Sequence, residues 1–181
     1  IVDDHRGGVV VSWPREGVGI FAQRLSLADG APLWSSPSSG ALLIDAASMS
    51  NFPTLISDEA GNIIVSWMKS VYDSASRAFQ YDIYAQKIQP NGSFSWQVNG
   101  IPVCANNKQQ YHPRMALYVA QGGIIVWQDF RSTTSDVYGQ RVSSNGMVLW
   151  NLNGVQLSNS NLLWDKVPVA IAIDGNNYAV F

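Results

Sequence analysis

Short β-branched runs alternate with polar, glycine-containing turns along the chain. Val9-Val10-Val11-Ser12-Trp13, Ile63-Ile64-Val65-Ser66-Trp67 and Ile124-Ile125-Val126-Trp127 each end in tryptophan. Polar turns precede the last two, at Asp58-Glu59-Ala60-Gly61-Asn62 and Ala120-Gln121-Gly122-Gly123, and a third such turn is Asp174-Gly175-Asn176-Asn177. Ahead of each turn lies a proline-led segment: Pro53 before Thr54-Leu55-Ile56-Ser57, Pro113 before Arg114-Met115-Ala116-Leu117, Pro168 before Val169-Ala170-Ile171-Ala172. Runs of this length bounded by Gly, Asn and Asp predict strands joined in hairpins. No stretch keeps an apolar period of about 3.6 residues, so no helix is predicted.

A third run follows each tryptophan after a connection of uneven length. Its copies are Phe21-Ala22-Gln23-Arg24-Leu25, Tyr84-Ala85-Gln86-Lys87-Ile88 and Tyr138-Gly139-Gln140-Arg141-Val142. Each leads to a turn glycine (Gly30, Gly92, Gly146), then a tryptophan (Trp34, Trp96, Trp150), then a second glycine (Gly40, Gly100, Gly154). The fourth run carries the tryptophan and continues into segments such as Ile101-Pro102-Val103, where Gly and Pro predict a bulged or edge strand. The prolines recur at 53, 113 and 168. Self-similarity at this period marks solenoids, propellers or arrays. Four antiparallel strands per copy is the content of one β-propeller blade. The expected fold is all-β: part of one propeller domain, with blades near 1–48, 49–108 and 109–163, the start of a fourth over 164–181, and the proline-led strand innermost. Three blades and a part cannot close a propeller of four to eight. The remaining blades of a longer parent chain are therefore expected partners, and the isolated chain is expected to associate through uncovered sheet faces.

The tryptophans are expected to fill the space between adjacent sheets, where each buries about 150–250 Å². Trp164 has no counterpart in the other copies. Gln23, Gln86 and Gln140 stand mid-strand, and a buried amide must be hydrogen-bonded. A repeated bond that locks neighbouring strands or loops is the expected role. Cys104, the single cysteine, is expected to be a small buried filler without a charged neighbour to activate it.

Charged residues make up 13% of the 181-residue chain and the net charge is −2, with no basic cluster. That argues against nucleic acid as a partner, which requires a concentrated Lys/Arg surface. No apolar run approaches the roughly 20 residues of a membrane-spanning helix. No phosphate loop, nucleophile elbow or calcium loop occurs, and the two histidines, His5 and His112, sit at unrelated repeat positions. No cofactor, metal or catalytic group is expected. Asn91-Gly92-Ser93 fits a glycosylation sequon but is the repeat's own turn.

The segment Gly122-Gly123-Ile124-Ile125-Val126-Trp127-Gln128-Asp129-Phe130-Arg131, with Asp136-Val137-Tyr138-Gly139-Gln140-Arg141-Val142 and Asn145-Gly146-Met147-Val148-Leu149-Trp150, resembles tandem repeats of large, uncharacterised secreted or cell-surface proteins of Bacteroidetes and related bacteria. The likeness covers nearly the whole chain and is strongest over 113–158; the first copy has Trp13-Pro14-Arg15-Glu16 instead of the Trp-Gln-Asp-x-Arg motif. It implies a propeller-like fold and an exported, extracellular or surface location. It implies no catalytic residues.

Uneven loops on a regular scaffold are where binding usually resides. The connection from Trp67 to Asp82 is the longest and holds Tyr72, Asp73, Arg77, Phe79 and Tyr81. Its counterpart in the third copy holds Asp129, Phe130 and Arg131; Asp129 and Arg131 are also expected to pair across the hairpin mouth. Connections between copies add Tyr111 and His112, then Trp164 and Asp165. Tyr72, Arg77, Phe79, Tyr81, Tyr111, Asp129, Phe130, Arg131 and Trp164 are thus the candidate ligand-binding residues, for a carbohydrate or protein ligand. A non-enzymatic binding or adhesion module is the expected function. A purely structural repeat scaffold is the alternative. A polysaccharide-active enzyme would need acids such as Asp73, Asp129 and Asp165 to converge.

Overall fold

The computed structural model describes residues 1–34, 41–47, 49–74, 76–118, 122–158, 168, 170–173 and 179–180. They form an all-β chain with three four-stranded antiparallel sheets and a final two-stranded hairpin. The first sheet is β1 (Val2–Asp3), β2 (Gly8–Arg15), β3 (Gly19–Ser26) and β4 (Leu42–Asp45). The second is β5 (Asn51–Ser57), β6 (Ile63–Asp73), β7 (Ala78–Ile88) and β8 (Ile101–Cys104). The third is β9 (Gln110–Tyr118), β10 (Gly122–Asp129), β11 (Asp136–Ser143) and β12 (Val155–Gln156), and β13 (Ala172–Ile173) pairs with β14 (Ala179–Val180). Each sheet is a meander in chain order. No helix in the described residues is long and apolar enough to cross a membrane.

Two details differ from the sequence reading. The fourth strands are short, and Trp34, Trp96 and Trp150 precede them in irregular segments rather than standing in them. The long connection after Trp67 is mostly strand: β6 and β7 continue in register from Lys69↔Asp82 to Asp73↔Ala78. Alternation in Ser70-Val71-Tyr72 and Phe79-Gln80-Tyr81 sustains that pairing, and Tyr72 meets Phe79 across the strands with ring centroids 5.5 Å apart.

The sheets stack in chain order. β1 lies against β5, β5 against β9, and β9 against β13. One apolar cluster joins the first two sheets through Val10, Ile20, Trp34, Ile44, Ile63 and Trp67. Another joins the second and third through Ile83, Trp96, Val103, Met115, Ile125 and Trp127.

The repeated glutamine has the same task in each sheet. The Gln86 amide donates to Gln97 O at 2.8 Å, and its oxygen accepts from Trp96 N at 3.1 Å and Lys87 N at 2.9 Å. Gln140 makes the same bonds to Trp150 N and Asn151 O, and Gln23 accepts from Trp34 N and donates to the Trp34 carbonyl itself. Each amide thus clamps the irregular segment that presents a tryptophan to the next sheet. The Trp34 indole N–H donates to Pro90 O at 2.9 Å, and that of Trp96 to Ser144 O at 3.2 Å, both in the following sheet. The rings lie against Gly92 and Gly146, where added β-carbons would sit 3.1 and 2.9 Å from them.

Trp67 and Trp127 each lie under a glycine of their own sheet, Gly100 and Gly154. A β-carbon on Gly154 would stand 2.4 Å from Trp127 Cη2 and 2.7 Å from Gly139 O, and its φ is +85°. Gly154→Ala is therefore expected to cost about 2–4 kcal/mol from left-handed strain and overpacking together. Gly30→Ala, where φ is +72° but no atom lies within 4 Å, should lose about 1–2 kcal/mol from strain alone. Urea unfolding of the two variants compares them directly.

Candidate functional site

An aromatic ledge forms where the β6–β7 hairpin meets the segments between the second and third sheets. Tyr81 and Tyr111 have ring centroids 5.6 Å apart, and Tyr111 meets Phe130 edge-on at 5.4 Å. His112 adjoins Tyr111 at 6.1 Å and Phe52 at 4.6 Å. Five rings from both sheets thus form one contiguous cluster that branches at Tyr111. All but Phe52 are half-buried, and Phe52 is exposed. Burial, with the adjacent Tyr81 phenol, raises the Tyr111 pKa, so its hydroxyl stays neutral and can donate a hydrogen bond.

Two of these rings owe their placement to strained backbone. Phe52 and His112 occupy equivalent places, each just before a proline, with φ of 53° and 54°. A residue before proline prefers extended backbone, and a non-glycine residue at positive φ is disfavoured. Both sit where pairing with the neighbouring strand slips: between Asn51 and Thr54 of β5, and opposite the break between Val126 and Gln128 of β10. The His112 ring is held by Nδ1 at 3.1 Å from Gln128 Oε1.

Gln109 organises the rest. Its side-chain oxygen accepts from Tyr81 N at 2.9 Å, its amide donates to Phe79 O at 3.2 Å, and its carbonyl accepts from Phe130 N at 3.0 Å. One residue thereby fixes the backbones that carry Tyr81 and Phe130. Beside the ledge lies a cavity of about 420 Å³, lined by Pro14, Glu16, Met49, Ser50, Asn51, Met68 and Tyr81. The first sheet's β2–β3 turn, the segment between the first two sheets and the β6–β7 hairpin therefore open at one end of the molecule.

The sequence candidates divide into groups. Tyr81, Tyr111 and Phe130 come together on the ledge. Tyr72 and Phe79 form a separate exposed pair near the hairpin tip, and Arg77 is exposed in the turn at φ 55°. Trp164 and Asp165 lie outside the described residues. Asp129 and Arg131 belong to the interior. The Asp129 carboxylate is fully buried, accepts from Trp127 Nε1 at 2.9 Å, and is gripped by Arg131 Nε at 2.8 Å and Nη2 at 2.6 Å. The guanidinium lies over the Tyr138 ring at 3.8 Å and donates to Asn153 O at 2.7 Å. Asp73 accepts from Ser76 Oγ at 2.6 Å in the hairpin turn, away from Asp129's buried position. Phe52 and Gln109 were not apparent from sequence. An aromatic residue before proline at two equivalent places was the available signal for the strained pair.

The same constellation as at Asp129 occurs between the first two sheets, assembled from other residues. There Trp67 Nε1 donates to Asp45 Oδ2 at 2.9 Å, Lys69 Nζ lies 3.3 Å from Asp45 Oδ1, and Lys69 also sits over the Tyr84 ring at 4.5 Å and 3.4 Å from Asn99 O. Asp45 ends the fourth strand of the preceding sheet, the place held by Cys104 one sheet later. The carboxylate enters from one side at the first junction and from the other at the second. Cys104 Sγ lies 3.8 Å from Asp129 Oδ2, and burial, then that carboxylate, pushes its thiol up to about 12, so it remains a protonated filler. Among the described residues no group of three or more His, Cys, Asp or Glu could hold a metal ion. Comparison with protein-family models, with curated proteins and with solved structures finds no match.

Proposed function

We propose that the chain is part of a β-propeller, in an exported bacterial protein, whose ring-lined end binds a carbohydrate without chemical conversion. The observation that carries this reading is the ledge of Phe52, His112, Tyr111, Tyr81 and Phe130 beside an open cavity. Strained backbone supports two of its rings, and Gln109 fixes the segments of two others. Strain of this kind persists where surrounding structure over-determines it, and it clusters at ligand sites. Flat rings pack against the apolar faces of sugars, while the exposed Glu16 and Asn51 in the cavity offer hydrogen bonds to hydroxyls. The propeller assignment is supported by the stacking of successive meanders with first strand against first strand. The secreted setting is supported by the resemblance of the repeat. The non-enzymatic reading is supported by the internal role of Asp129, which holds Trp127 rather than facing a cleft.

The test is a glycan array followed by titration calorimetry of any hit. Tyr111→Ala and Phe130→Ala are each expected to weaken binding about 5- to 50-fold, the loss of about 1–2.3 kcal/mol typical of a useful interface ring. Tyr72→Ala, on the separate pair, should leave affinity within about twofold. Unchanged affinity in both ledge variants would discard the ledge as the site. No binding on the array, with a peptide library equally silent, would favour the structural scaffold.

A further inference from the structure

The face of the first sheet turned away from the second carries the receiving half of both inter-sheet contacts. At each contact the following sheet offers a turn glycine as a seat for the preceding sheet's tryptophan: Gly92 for Trp34, Gly146 for Trp96. The corresponding glycine of the first sheet is Gly30, and no atom lies within 4 Å of where its β-carbon would be. The indoles donate to the carbonyl two residues before the glycine, Pro90 or Ser144; in the first sheet that residue is Ala28. Trp67 and Trp127 are 0% exposed, whereas Trp13 at the same repeat position is 36% exposed and, among the described residues, stacks on Phe21.

The charges specify what fits there. Where a cation stands two residues after the tryptophan (Lys69), the preceding sheet brings the acid, Asp45. Where an acid stands there (Asp129), the preceding sheet brings the neutral Cys104. The first sheet has Arg15 at this place, exposed and without an ion pair among the described residues. We propose that this face binds a further four-stranded sheet of the same repeat, one whose fourth strand ends in Asp or Glu. The carboxylate bridges the Trp13 indole N–H and Arg15, and the incoming tryptophan seats on Gly30 and donates to the Ala28 carbonyl. A second copy of this chain does not meet the requirement. Its third sheet has Ser158 where the acid is needed, and its β13 lies against β9. The first sheet itself, with Trp34 and Asp45, has the required chemistry. The assignment rests on sheet packing alone and is independent of ligand binding on the ledge.

A register-matched fusion tests it. Val2 pairs with Val10 as Ile56 pairs with Ile64, each three residues before its tryptophan, so Ile1 corresponds to the residue after Thr54. Residues 1–54 placed directly ahead of the full chain therefore present a second Trp34 and Asp45 to Gly30, Trp13 and Arg15. The fusion is expected to unfold in one transition. Arg15→Ala in the full-chain part should lower its midpoint by at least about 4 °C. The same change in the chain without the added segment should shift the midpoint by less than about 1 °C, since Arg15 is exposed there. Asp45→Asn in the added copy should also lower the midpoint, and the two changes together should lower it no further than the larger alone. Two separate transitions, failure to fold, additive losses, or an Arg15→Ala change as silent in the fusion as in the chain would each overturn the proposal.

Discussion

Trp96→Ala is expected to destabilise the protein by about 3–5 kcal/mol, the range for truncating a large buried aromatic. The indole is 9% exposed and lies between the second and third sheets, in the cluster with Ile125, Val142 and Val103. Its removal leaves a void that the flanking strands cannot close, because Gly146 holds the opposing turn without a side chain that could fill the gap. The bond from Nε1 to Ser144 O is lost as well, which leaves that carbonyl without its inter-sheet donor. Trp96→Phe should recover part of the packing and none of the hydrogen bond. Trp150→Ala is the comparison: the Gln140 clamp is the same, but the ring is only half-buried, so its loss should be smaller. Denaturant unfolding of the three variants reads the order. A loss below about 1 kcal/mol for Trp96→Ala would show that the tryptophans are not what joins the sheets.

What could be read from the residues was the part in which local chemistry and long-range packing agree. The β-branched runs ending in tryptophan formed the second strands, the glutamine-bearing runs formed the third, and Gln23, Gln86 and Gln140 made the repeated bonds expected of buried amides. Register supplied that success, since the second and third copies repeat the glutamine and both glycines at the same offsets, and the first copy only lengthens them. The ledge was half legible. Tyr81, Tyr111 and Phe130 stood in connecting segments, but the positive φ at Phe52 and His112 opposes the local preference before proline and is imposed by neighbouring strands. The long connection after Trp67 misled because a two-stranded extension and a loop of equal length share the same polar, aromatic composition. Asp129 was the hardest case. Its motif pointed to a hairpin-mouth pair, and the pair with Arg131 does form. That the carboxylate's main task is to hold Trp127 required knowing that Asp45 does the same for Trp67 from a different repeat position. A position-by-position comparison of copies conceals such an exchange, because only the site in space is preserved.

That exchange yields the sharpest expectation. Asp129→Ala should cost about 3–5 kcal/mol, as removal of one member of a buried ion pair does. It leaves the Arg131 guanidinium against Tyr138 with no carboxylate and the Trp127 N–H with no acceptor, both inside the sheet junction. Cys104→Asp alone should also destabilise, since it would place two carboxylates within reach of one cation: the thiol sulfur already lies 3.8 Å from Asp129 Oδ2. Together, the two changes rebuild at the second junction the arrangement that Asp45, Trp67 and Lys69 have at the first. The new carboxylate enters from the preceding sheet and faces Trp127 and Arg131. The double variant is therefore expected to be more stable than either single one, with a favourable coupling of at least about 2 kcal/mol from a double-mutant cycle. Thermal and urea unfolding of the four proteins measure it. Additive losses would mean that the two junctions are alike only in outline, and that the position of Cys104 cannot take over the role Asp45 has one sheet earlier.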